Sequence, residues 1–272
     1  MKISAVFADG SKMQVDGWTY SPTTPLTAND TEITISYTAF GQIWTVKQGI
    51  TIKAFNPVLA ENGWTQINET STSGKASSIW KVGDTKDIVV NGETLTLVIM
   101  DFNHDDLESG GKAGITFGLK HLMKDQRQMN SSSTNSGGFP GSAMYSWLQN
   151  TLLKQLPSDL QSVLKSVNKK TSAGSASSTI NTNAMKLFLF SEQEIFGSKT
   201  YSTGNEGAQY PYFATAGNRI KHLANGTGSA NWWWERSPCA SGSNNFCNVN
   251  RYGSADGSGA DYSHGVCFGF CV

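Results

Sequence analysis

Charge is scarce in this chain. Lys and Arg total 21, Asp and Glu total 21, and charged residues make up 15% of 272, below the usual quarter. With a net charge of zero there is no electrostatic footprint for a nucleic acid or an anionic membrane surface. No apolar run approaches the length of about 20 residues that a membrane-spanning helix needs. The opening "MKISAVFADGSKMQVDG" lacks the apolar core of an export signal. Neither membrane insertion nor a signal peptide is expected in this chain. Cysteine is limited to Cys239, Cys247, Cys267 and Cys271, with no CxxC knuckle for zinc. No GxSxG, P-loop, dinucleotide fingerprint or HExxH occurs. The expectation is a chain without catalytic residues, metal ligands or cofactor.

Small polar residues stand where charges are missing. Gly is frequent at 28, and Trp reaches 8. The length suits one large or two modest domains. The first stretch reads as β: "TEITISYTAF" alternates Ile33, Ile35 and Tyr37 against Thr and Ser, "QIWTVKQGITIKA" continues it, and "SPTTPLTAND" is a turn-rich connection. A boundary is expected near residue 55. Beyond it, "KDIVVNGETLTLVIMDF" is a hairpin built on Asn91-Gly92, and "KAGITFGL" is another strand. "SAMYSWLQNTLLKQL" carries Met144, Trp147, Leu148, Thr151 and Leu152 at helical spacing, and Pro157 opens a second helix over "SDLQSVLKSV". "KKTSAGSASSTINTNA" reads as a loop and "MKLFLF" as a buried strand. Ser191 and Glu194 make a capping box for a short helix. The second region is thus α+β, with two helices and dispersed strands.

Three constellations invite a chemical reading. "FNHDDL" gathers His104, Asp105 and Asp106. The plain expectation is a turn whose Asp side chains cap backbone amides, against a metal or acid–base role. In "NWWWERSP", Trp232 and Trp234 share one strand face and Trp233 takes the other. Core packing accounts for at least two of the rings, and a sugar platform is the alternative. Arg236 is expected to bond backbone carbonyls or a carboxylate. In "GVCFGFCV", Val266, Phe268, Phe270 and Val272 alternate onto a buried face. Cys267 and Cys271, four apart on a strand, are roughly 13 Å apart and too far to pair. Cys239 and Cys247 either close a loop or remain buried thiols.

The window from Cys239 to His264 contains no Lys, Gln, Glu, Met or Trp, although at the whole-chain frequency of these five types about five would be expected. These are types that no codon ending in C encodes. Every residue type in the window is reachable from the Asn codon AAC by replacing its adenines. The window is also rich in Tyr, Asn, Ser and Gly, the composition of an antibody paratope. Candidate ligand contacts are Ser241, Ser243, Asn244, Asn245, Asn248, Asn250, Arg251, Tyr252, Ser254, Asp256, Ser258, Asp261, Tyr262, Ser263 and His264. Phe246 and Val249 are expected to support them from within.

"WWWERSP…NNFCNVNRYGSADG…GVCFGFCV" resembles the C-terminal domain of variable proteins diversified by retroelements, which have a C-type lectin fold. From about Trp64, "WKVGDTKDIVVNGE", "FNHDDL", "KLFLFSEQEIFG" and "WWERSP" resemble an uncharacterised domain family of gut bacteria and their phages, covering about residues 56–272. "VFADGSKMQVDGWTYSPTTPLTANDTEITISYT" and "QGITIKA" resemble a bacterial immunoglobulin-like domain whose first strands would lie upstream of Lys2. The resemblance implies a C-type lectin-like domain (56–272, variable region about 231–272) after a partial immunoglobulin-like β segment (1–55). It implies a non-enzymatic adhesin on a phage tail or cell surface that binds a protein or glycan receptor of the host. A homo-oligomer, such as a trimer, would close the incomplete sandwich. The calcium signatures Glu-Pro-Asn and Trp-Asn-Asp of sugar-binding lectins are absent. The alternatives are a carbohydrate-binding module using Trp233 and the tyrosines, and a formylglycine-generating-type oxidase in which Cys267 and Cys271 hold copper.

Overall fold

Antiparallel pairing dominates the chain. A computed structural model describes residues 2–23, 30–50 and 56–272, in two compact units, 1–55 and 56–272. In the first unit, β1 (Ile3–Val6) and β2 (Lys12–Val15) form a hairpin, and β3 (Thr19–Ser21), β4 (Glu32–Ala39) and β5 (Gln42–Gly49) form a separate antiparallel sheet. The alternation expected in β4 is present: Ile33 and Ile35 are buried between half-buried Thr34 and Ser36. The β4–β5 turn places Phe40 and Gly41 at positive φ. All of β5 is exposed, including Ile43, Trp44 and Val46. Much of the expected turn-rich connection and the end of "QGITIKA" lie outside the described residues.

The second unit begins with α1 (Trp64–Thr72) and α2 (Ala76–Ile79), then β6 (Thr85–Val90), β7 (Glu93–Phe102) and β8 (Ile115–Leu119). The β6–β7 hairpin turns on Asn91 and Gly92, both at positive φ, as that dipeptide predicts. The helical stretch is α3 (Ala143–Trp147), a π-helical turn (Leu148–Leu152) and α4 (Leu153–Gln155); Met144, Leu148 and Leu152, four apart, are its buried stripe. The short α5 (Ser158–Gln161) leads into β9 (Val167–Ser172) and β10 (Ile180–Met185). After β11 (Phe188–Leu189) come α6 (Glu192–Phe196) and α7 (Pro211–Ala214), then β12 (Trp233–Pro238), β13 (Asn245–Val249), β14 (Ala255–Gly259) and β15 (Phe268–Cys271).

Five strands form the main sheet in the order β11-β15-β8-β7-β6, all antiparallel. The last strand is therefore an interior one, paired on both edges, and both of its faces are buried beneath neighbouring elements. Trp64 of α1 packs edge-on against Phe117 and Phe270 at 5.5 and 6.0 Å. Ser71 donates to the carbonyl of Val272 at 2.6 Å, tying α1 to the chain end.

Two sequence expectations need correction. "SDLQSVLKSV" is helical only as far as Gln161, because Val167 already belongs to β9. "KKTSAGSASSTINTNA" is not a loop: its two ends are β9 and β10, paired from Val167↔Met185 to Ser172↔Ile180. The inward-facing members of β9 include Lys169 and Thr171, both buried. A strand whose buried face is polar shows no apolar alternation, so the pattern is invisible to a hydrophobicity count. The helical content is also spread over several short helices rather than two.

Candidate functional site

The terminal window builds a three-stranded antiparallel sheet, β12-β13-β14. Trp234, Asn248 and Asp256 are in register across it, as are Pro238, Phe246 and Ser258. From Ala260 the chain returns to Gly265, which pairs with Trp233 at the opposite edge. It therefore crosses the sheet face that carries Asn248 and Asp256, and the His264 ring comes to 4.5 Å from Trp234.

The candidate contacts divide by position. Ser241, Ser243 and Asn244, on the β12–β13 turn, are exposed, and Asn245 is half-buried at the start of β13. Arg251, Tyr252 and Ser254, on the β13–β14 turn, are exposed, with Asn250 half-buried beside them. Asp256 and Ser258 of β14 are half-buried. In the crossing segment Tyr262 and Ser263 are exposed, while Asp261 and His264 are half-buried. Tyr252 is 67% and Tyr262 62% exposed. Asn248 is the exception: it is fully buried on the central strand, and its Nδ2 donates to Ser258 Oγ at 2.9 Å. Strand alternation alone cannot reveal this burial, which comes from the returning segment that roofs the face. Phe246 and Val249 are both fully buried. The two turns lie at opposite ends of the five-residue β13, so the positions form an elongated face rather than one pocket.

Side chains from outside the window border both ends. Arg251 lies over Trp232 at 5.2 Å and its own neighbour Tyr252 at 4.8 Å. Beside Tyr252 an open cleft of about 460 Å³ is lined by Phe196, Arg219 and Ile220. Arg219 stacks on Phe196 at 5.0 Å, and its Nε has no hydrogen-bond partner. At the crossing segment, Arg127 lies 3.9 Å from the Trp147 ring beside a cleft of about 350 Å³ that also includes Ser263.

No local sequence pattern marks Asn135. Fully buried, it donates from Nδ2 to the carbonyls of Gly242 (3.0 Å) and Asn245 (2.8 Å), and its Oδ1 accepts from Ser175 N at 2.7 Å. Its backbone N–H donates to Ser243 O at 2.7 Å. Gly174 packs so closely that a Cβ there would lie 1.8 Å from Asn135 O. One amide from a distant loop thus fixes the β12–β13 turn.

A buried ionic cluster holds β12 from beneath. Arg236 makes a two-pronged contact with Glu194 and also donates to Leu189 O and Lys170 O, both at 3.0 Å. Carbonyls and a carboxylate are the partners its position in "WWERSP" leads one to expect. Lys169 bridges Glu194 and Asp105 at 2.6 Å each and donates to Tyr210 OH at 2.9 Å. Thr116 donates to Asp105 Oδ2 at 2.6 Å. Burial pushes the Asp105 carboxyl up, but Lys169 and Thr116 outweigh it and hold the group below the ordinary range. Burial opposes ionisation of Glu194 as well, and Arg236 and Lys169 hold it down in the same way. The "FNHDDL" turn is therefore not simply an Asp-capped one. Asp105 belongs to the interior, Asp106 pairs with exposed Lys112 at 2.7 Å, and His104 stacks on Tyr210 at 4.0 Å. A polar cleft of about 560 Å³ opens over this cluster. Asp105, Lys169 and Glu194 line it, already engaged with one another and with Arg236, Thr116 and Tyr210.

The alternative chemistries meet obstacles in this geometry. Trp233 is fully buried, packed against Phe213, and its Nε1 donates to Arg219 O at 3.0 Å. It offers no face to a sugar; Trp232 is the half-buried member of the triplet. Cys267 Sγ donates to Leu119 O, whereas Cys271 Sγ lies near Thr116 and Asp105. Both thiols are fully buried, with separate partners. Among the described residues no group of three or more His, Cys, Asp or Glu is arranged to hold a metal ion.

Residues 113–272, more than half of the chain, match the family model described as Domain of unknown function (DUF6273). No curated protein and no solved structure matches the chain.

Proposed function

The chain belongs to the family described as Domain of unknown function (DUF6273), and from the geometry of its terminal segment we propose that it is a non-enzymatic binding protein. It displays an exchangeable face on a fixed, lectin-like frame. The observation that carries this reading is the contrast within one short segment. Arg251, Tyr252, Tyr262, Ser241 and Ser263 project from it, while Phe246, Val249, Trp233 and Trp234 beneath them are buried. Exposed Tyr supplies large rigid contact at low entropic cost, and Ser and Asn supply adaptable hydrogen bonding.

The partner in this reading is a receptor on a host cell, protein or glycan, and the setting is a phage tail or a cell surface. The residue types of 239–264, all reachable from an AAC codon by changing its adenines, support diversification by a retroelement. The uncovered apolar side chains of β5 in the first unit favour a homo-oligomer, in which several copies would raise avidity. A lectin-like face without the calcium signatures fits protein recognition better than calcium-dependent sugar binding. The oxidase alternative is disfavoured because Cys267 and Cys271 are buried and bonded to different partners.

Binding of the labelled chain to a panel of gut bacterial cells tests the proposal. The pair Tyr252→Ala with Tyr262→Ala should reduce binding to a recognised strain at least tenfold while leaving the melting temperature nearly unchanged. Protease treatment of the cells should remove the signal if the receptor is a protein, and glycosidase treatment if it is a glycan. Equal binding by parent and double variant would overturn the proposed face.

A further inference from the structure

Four cysteines are buried in the second unit, and their surroundings differ sharply. Cys267 and Cys271 each have polar protein atoms as neighbours and no second sulfur. Cys239 and Cys247 face each other, Sγ to Sγ, at 3.6 Å. Cys239 N donates to Asn245 O at 3.0 Å, so the two cysteines are diagonal neighbours across the β12–β13 hairpin, on opposite sides of its turn. Across β13, Gly257 is paired with Cys247, and a Cβ on Gly257 would lie 2.9 Å from Cys239 Sγ. The glycine leaves room for the sulfur pair.

We propose that Cys239 and Cys247 form an intramolecular disulfide when the chain meets a low-molecular-weight disulfide or folds in an oxidising compartment. A disulfide bond is about 2.05 Å long, so side-chain rotations sharing a closure of about 1.5 Å suffice. In the balanced step one cysteine, as thiolate, attacks the oxidant disulfide and expels one thiol. The second cysteine then attacks the mixed disulfide and expels the other. Two protein S–H bonds become one S–S bond, and the oxidant leaves as two thiols that carry the two protons and two electrons. The link closes the hairpin at the root of the turn that bears Ser241, Ser243 and Asn244. Burial and the neighbouring Cys239 thiol push the Cys247 thiol well above its ordinary range, so it is a poor nucleophile in the folded chain. Oxidation is therefore expected to be slow after folding and efficient during it. The inference does not depend on what the displayed face binds.

The test uses the full chain, both folded and refolding from the reduced, denatured state, with oxidised glutathione as oxidant. After alkylation under denaturing conditions, the refolded protein should show two alkylated cysteines instead of four. Its mass before alkylation should be two hydrogens lower than that of the reduced protein, and digestion should yield one crosslinked species joining Cys239 to Cys247. Cys239→Ser and Cys247→Ser should each retain three alkylatable thiols and lose the crosslink. The folded protein should reach the same product more slowly, and the oxidised form should melt at a higher temperature than the reduced one. Four free thiols after refolding, stable glutathione adducts at these two positions, or a crosslink involving Cys267 or Cys271 would each overturn the proposal.

Discussion

At the scale of single residues the most anomalous group is Glu235. It is fully buried on β12, and neither carboxyl oxygen has a hydrogen-bond partner. Burial, with Glu192 nearby, pushes its carboxyl well above the ordinary value of 4.5. Between the unfolded value and that raised value the folded chain holds more protons than the unfolded chain. Stability is therefore fully present below about pH 4.5 and falls as pH climbs through that window. Removing the ionisable group should remove this loss. Glu235→Gln is expected to melt close to the parent at pH 4 and above it at pH 8, with the gap widening as pH rises. Melting temperatures over that range check the prediction, and a difference independent of pH would show that Glu235 does not titrate in this way. Asp105 and Glu194 behave oppositely. Held below the ordinary range by Lys169 and Arg236, they stabilise the fold above their unfolded values and lose that contribution progressively as pH falls below those values through the lowered ones.

At the scale of elements, the β12–β13 hairpin combines an exposed turn with a rigid base. Asn135 is the clamp between this turn and the loop around Ser175. Asn135→Ala would leave the Gly242 carbonyl and the Ser175 amide without this partner and remove one of two donors to the Asn245 carbonyl, at a cost of about 1–3 kcal/mol. Denaturant unfolding should report that loss, and amide hydrogen exchange should accelerate at Ser175. Unaltered exchange there would mean that other contacts hold the turn.

Legibility also divides by element. The Asn91-Gly92 hairpin, the Met144–Leu148–Leu152 stripe, the Ser191–Glu194 capping box and the apolar final strand were all readable, because each is encoded locally by a turn dipeptide, a period or a cap. β9 was not readable, because its inward side chains Lys169 and Thr171 are polar and gain their partners only from Asp105, Glu194 and Arg236, far away in sequence. The burial of Asn248 and the role of Asn135 were hidden for the same reason: both depend on segments that return from elsewhere in the chain.

At the scale of the whole molecule, the second unit separates what is displayed from what holds it. The chain ends in an interior strand of the main sheet, buried on both faces. The Arg236–Glu194–Lys169–Asp105 cluster anchors β12, and the exposed candidate contacts occupy two turns and a crossing segment. Exposed substitutions away from caps and buried networks change stability little, within about 0.5 kcal/mol each. In the proposed function, such a face exchanges its exposed side chains without refolding.

The most direct test is the unfolding free energy of a chain in which Ser241, Arg251, Tyr252, Ser254, Tyr262 and Ser263 are all replaced by Ala. Six effects of this size, with Arg251 and Tyr252 in contact and so coupled, lead the account to predict a cooperative transition within about 3 kcal/mol of the parent. A loss of more than about 4 kcal/mol, or a transition that is no longer cooperative, would contradict it.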